Sequence, residues 1–158
     1  MPSYRGHVAA GCIVYAGAGM CMYSCSPHGA QFWAELFLFT LIGSLFPDVD
    51  TKSKGQQLTY ALSFLLIIML IAHNYVITAI GISLLCFIPL IGKHRGVFHD
   101  PLFLLGGISC ALIILLHNFP HAKTRVLYDT LFFSIGVVSH IMLDRWIQPC
   151  KTKRMYHL

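Results

Sequence analysis

The chain has 158 residues, a formal net charge of +5, 56% hydrophobic residues and only 11% charged ones; an average soluble domain carries ~25% charge. With a mean hydropathy of +0.69 and apolar runs approaching the ~17–25 residues of a bilayer crossing, it is not an ordinary soluble domain but one compact integral membrane protein. The basic residues lie between apolar segments rather than in a stripe with interleaved aromatics, which excludes a nucleic-acid partner and points to the lipid bilayer.

Six apolar segments follow one another, at about Val8–Tyr23, Ala30–Phe46, Leu58–Ala72, Tyr75–Gly92, Pro101–Leu116 and Val126–Leu143. The first follows Arg5 and His7 and has the outline of a signal peptide; retention as the first membrane helix keeps His7 in the protein. The second closes on "FPDVD", where Pro47 cannot continue helical hydrogen bonding, and a locally extended turn points Asp48 and Asp50 the same way. Only His73 and Asn74 divide the third segment from the fourth, as a tight hairpin or one bent element. The connector "KHRGVFHDP" then concentrates charge before the fifth segment. There Asp100 and Pro101 read as N-cap and first helical residue, and Gly96 lets the backbone pass close to an ion. The sixth ends on "SHIMLD", with His140 and Asp144 at i and i+4 on one helical face.

The expected fold is all-α, a polytopic transmembrane bundle of about four to six helices. Residues 1–145 form the helical membrane domain and 146–158 a basic cytoplasmic tail. The six cysteines, Cys12, Cys21, Cys25, Cys86, Cys110 and Cys150, form no CxxC pair and read as small buried hydrophobes.

If each segment crosses once, nine basic residues fall on one side: Arg5, Lys52, Lys54, Lys93, Arg95, Arg145, Lys151, Lys153 and Arg154. The other side receives two, Lys123 and Arg125. That bias marks the first side as cytoplasmic in an inner membrane. The same topology brings His7, Asp48, Asp50, His94, His99, His140 and Asp144 to that face. Each motif alone has a plainer explanation: "PDVD" as a helix-ending turn, Asp100 as a cap, HxxxD as a buried hydrogen-bonded pair. Their convergence makes them candidate metal ligands. Imidazole with carboxylate suits zinc, manganese or iron better than calcium, and seven ligands exceed one tetrahedral site, so two metals are expected. His28, His73, His117 and His121 belong to the opposite face, and Asp129, inside the last segment, is left as an intramembrane hydrogen-bond partner without a role.

The order of an N-terminal His7, then "PDVD", "HRGVFH" and "SHIMLD" resembles the YdjM-like family of predicted membrane-bound metal-dependent hydrolases, over His7 to Asp144. Where that family commonly has serine or threonine beside the second loop histidine, Phe98 and Asp100 flank His99 here, which bears on substrate contacts rather than on the ligands. The order is also loosely similar to zinc-dependent phospholipase C enzymes, which implies phosphoester substrates. The expected activity is therefore a metal-dependent hydrolase acting on a lipid or other amphiphilic phosphoester. Metals lower the pKa of a bound water, Asp50 or Asp144 serves as general base, and Arg95 holds a phosphate oxygen. The rivals are a metal transporter, whose site belongs nearer the midplane, a non-catalytic metal-binding protein, and a scaffold whose motifs only cap helices.

Overall fold

A computed structural model describes residues 4–23, 29–49, 54–91, 101–118 and 123–152. All regular structure among them is helical: α1 (Tyr4–Tyr23), α2 (Ala30–Leu45), α3 (Lys54–Ala72), α4 (Val76–Ile91), α5 (Pro101–Asn118) and α6 (Lys123–Thr152), with a 3₁₀ turn at Phe46–Asp48 after α2. Three stretches, Ala30–Asp48, Lys54–Ala72 and Lys123–Trp146, are long and apolar enough to cross a membrane. Each apolar segment corresponds to one helix. The largest departure is at the C-terminus, where α6 runs on to Thr152, into the stretch read as the start of the tail.

Helix α2 is the centre of the bundle. Ten of its 16 residues are buried, as expected for a helix apolar on all sides. Its outer flank packs Leu38, Phe39 and Ile42 against Leu66 and Leu70 of α3 and Ala79 of α4. Helices α3 and α6 turn Phe64, Leu65, Ile68, Leu131 and Met142 outward, where lipid tails cover such side chains. Hydroxyls in this apolar interior bond back to their own helices: Thr40 Oγ1 donates to the Leu36 carbonyl and Ser139 Oγ to that of Gly136. These bonds keep both hydroxyls from being stranded in hydrocarbon, whereas the buried Trp33 Nε1–H and Ser63 Oγ have no hydrogen-bond partner among the described residues.

In lipid, helices associate through close packing rather than water exclusion, so small residues decide where backbones meet. Here Gly43 of α2 lies against the Phe133 carbonyl of α6, and Gly136 of α6 lies against the Thr40 carbonyl of α2. A Cβ built on Gly11 of α1 would sit 2.8 Å from Ser44 Oγ of α2. Three helices therefore meet at one junction, with α1 antiparallel to α2: His7 faces Asp48 and, two turns on, Tyr15 Oη donates to the Trp33 carbonyl.

The third and fourth segments form a hairpin, not one bent element. Asn74 adopts φ 62°, and the Tyr75 and Asn74 amides donate to the Leu70 and Ile71 carbonyls at 2.8 and 3.0 Å, closing α3 in the left-handed manner that suits Gly or Asn. Asn74→Gly should leave the thermal unfolding midpoint unchanged or higher. Asn74→Val should lower stability by about 1–2 kcal/mol, because a β-branched residue resists that conformation.

At the end of the bundle away from His140, Arg125 donates from Nε and Nη2 to both carboxylate oxygens of Glu35. Its guanidinium lies 3.8 Å from the centre of the Tyr75 ring. Glu35 is fully buried, and this forked pair ties α2 to α6 where α4 begins.

Candidate metal centre

The site grows out of the small-residue junction. His7 lies one turn before Gly11, Asp48 one turn after Ser44, and His140 one turn after Gly136. Close approach of the three backbones at the junction thus delivers one side chain from each helix to the same place. Asp144 joins from the next turn of α6, on the face of His140.

His140 is fully buried, and its Nδ1–H donates to the Ser44 carbonyl at 2.8 Å. A carbonyl oxygen only accepts, so this contact puts a proton on Nδ1 and leaves Nε2 facing the carboxylates, the arrangement by which metal-bound histidines are held. The His7 ring stacks on it, with centroids 3.8 Å apart and planes 14° from parallel. Asp144 spans the two rings, with Oδ2 3.4 Å from His140 Nε2 and Oδ1 3.7 Å from His7 Nε2. Asp48 does the same from the other helix, at 3.9 Å from each ring nitrogen.

These separations are longer than a good N–H···O hydrogen bond, ~2.7–3.2 Å. They come close to the spacing of neighbouring ligands around a zinc-sized ion, about 3.3–3.6 Å for tetrahedral bonds of ~2.0–2.2 Å. Each of His7, His140 and Asp144 offers one ligand atom, all within 4.8 Å of one another. Two imidazoles, a carboxylate between them and an oriented tautomer form a group able to hold a metal ion, with Asp48 at its edge.

Of the seven ligand candidates, His7, Asp48, His140 and Asp144 come together. Asp50, His94 and His99, together with Arg95, lie outside the described residues. The extended turn expected at "PDVD" is not what forms around Asp48. Phe46–Asp48 is a 3₁₀ turn and Val49 stays in the right-handed helical region, φ −69° and ψ −20°, its amide donating to the Phe46 carbonyl. The fixed φ of Pro47 is compatible with a first helical turn, so the chain tightens instead of opening, and Asp48 is presented from a helix end. His73 is exposed in the hairpin and His117 at the end of α5, away from the cluster, while His28 and His121 lie outside the described residues. Cys12, Cys21, Cys86 and Cys110 are free thiols, as the lack of a CxxC pair suggests, but they are not the buried residues expected: Cys12 and Cys86 are half-buried, and Cys21 and Cys110 are exposed on the bundle surface.

Neither the Ser44 carbonyl nor the glycines Gly11, Gly43 and Gly136 are among the residues expected at the site from sequence. A usable signal exists: each ligand-bearing helix has a small residue four positions from its ligand. Arg125 is read there only as a topology charge and Glu35 not at all.

A family model described as YdjM inner membrane protein matches residues 1–153. No curated protein and no solved structure matches the chain.

Proposed function

The chain belongs to the YdjM inner membrane protein family, and from that premise we propose that it is a metal-dependent hydrolase of a phosphoester at the cytoplasmic face of the membrane. The observation that carries this reading is the convergence of His7, Asp48, His140 and Asp144 at one end of the bundle, at separations suited to a bound cation. A divalent cation held there would acidify a water and polarise a phosphoryl oxygen.

The residues divide the remaining work. The Ser44 carbonyl holds His140 in register, and Asp144, nearest to both rings, supports a ligand role. The Asp48 side chain is 21% exposed against 11% for Asp144, so Asp48 stands on the more open side. It would then accept the proton of the attacking water; Asp50 as an alternative base and Arg95 as the holder of a phosphate oxygen are roles drawn from the sequence alone. A site at the end of membrane-crossing helices suits a lipid or another amphiphile whose polar end lies at the interface. The nine-to-two distribution of basic residues supports a cytoplasmic orientation.

Protein reconstituted in proteoliposomes should hydrolyse bis(p-nitrophenyl) phosphate or a phospholipid. Activity should disappear on chelation and return with added zinc or manganese. Full activity in metal-free protein would sink the proposal, and bound metal with no turnover of either substrate would return the site to the non-catalytic alternative.

A further inference from the structure

A second polar feature lies inside the bundle, apart from the metal centre. Asp129 of α6 is 5% exposed, and its Oδ1 is buried without a hydrogen-bond partner. Eleven residues separate it from His140, about 16 Å along the helix. It lines a cavity of about 430 Å³ walled by apolar side chains from five helices, among them Ile42, Leu66, Ile82, Ile108 and Phe133. Among the described lining residues Asp129 is the one charged group. The volume lies within the ~300–1,000 Å³ of small-molecule sites.

The surrounding charges define what fits. The cation on the same helix, Arg125, is committed to Glu35 by its forked hydrogen bonds. With Arg125 so engaged, Asp129 has no cation paired with it among the described residues, at a depth where an ionised group is costly without one and usually serves a function. We propose that the cavity is a binding site for a single-chain amphiphile ending in a primary ammonium. Its hydrocarbon fills the space between α2, α3, α4, α5 and α6, and its ammonium donates hydrogen bonds to Asp129. The ammonium supplies that cation and satisfies Oδ1, while an anionic amphiphile of the same length offers no such partner.

The test uses full-length protein in phosphatidylglycerol nanodiscs, which contribute no amine, and two diazirine-bearing photoaffinity probes, a dodecylamine and a dodecanoic acid. The amine probe should label peptides lining the cavity, and dodecylamine should compete whereas dodecanoic acid should not. Asp129→Asn should lower that labelling about tenfold or more, as loss of a buried charge partner does, with metal content unchanged. If that variant does not fold, Gly107→Phe decides the matter. Gly107 lines the cavity and a Cβ there meets nothing within 4 Å, so the ring fills the site while Asp129 stays in place, and labelling should fall as far. Equal labelling by the two probes, or amine labelling that survives either folded variant, overturns the proposal.

Discussion

Asp144→Asn should abolish tight metal binding while the bundle stays folded. The substitution keeps the shape of the side chain and removes its charge. Each carboxylate oxygen faces a different imidazole, at 3.7 Å from His7 and 3.4 Å from His140, so a single change weakens the ligand set at its middle. The fall in affinity should exceed the ~10- to 100-fold that accompanies loss of an outer-shell partner alone. Thermal unfolding provides the readout, because a ligand that binds only the folded state stabilises it. Zinc at 100 times its dissociation constant should contribute about 2.7 kcal/mol to the wild-type protein. The corresponding upward shift should be missing in Asp144→Asn at the same zinc concentration. Glu35→Gln supplies the control: it breaks a buried charge pair whose members stand nine residues before Ser44 on α2 and fifteen before His140 on α6, about 14 and 22 Å along the bundle, and should lower the unfolding midpoint without removing the zinc-induced shift. Equal zinc affinity in Asp144→Asn and wild type would remove Asp144 from the site.

The legible part of this architecture follows from what a bilayer demands. Apolar runs must become helices in lipid, so the six segments lie close to the observed boundaries. Polar residues at their ends are conspicuous because so few others exist. His140 and Asp144 can be paired from spacing alone, and alternating topology brings His7 and Asp48 to the same end. The conformation at Asp48 is not legible, since Pro47 permits both an extended turn and a tight helical one. Nor is the Glu35–Arg125 pair, whose members stand 90 residues apart and of which Arg125 already has an adequate explanation as a topology charge. Backbone contacts escape most completely. No side-chain pattern announces that the carbonyl of Ser44 will orient His140, because that depends on how closely α2 and α6 approach.

That approach is itself open to test, and Gly136→Ala should damage both stability and metal binding. A Cβ at position 136 would press on the Thr40 carbonyl and lie 2.8 Å from the Ser44 amide nitrogen. These are backbone atoms of the central helix, with no rotamer to yield, so α2 and α6 must separate. Overpacking of this kind costs about 1–3 kcal/mol, and separation stretches the 2.8 Å contact from His140 Nδ1 to the Ser44 carbonyl. Loss of that orienting bond should lower metal affinity about 10- to 100-fold, although no ligand has been altered. Two further glycines make the comparison quantitative. At Gly11 the nearest atom to an added Cβ is Ser44 Oγ, the movable end of a side chain, and at Gly17 there is nothing within 4 Å. Gly11→Ala should therefore be milder, and Gly17→Ala should stabilise its helix by about 0.5–1 kcal/mol. Unfolding midpoints should rank Gly17→Ala highest, then wild type, Gly11→Ala and Gly136→Ala. Zinc affinity should fall only in the last two. A Gly136→Ala protein as stable and as zinc-avid as wild type would show that the α2–α6 junction does not set the geometry of the site.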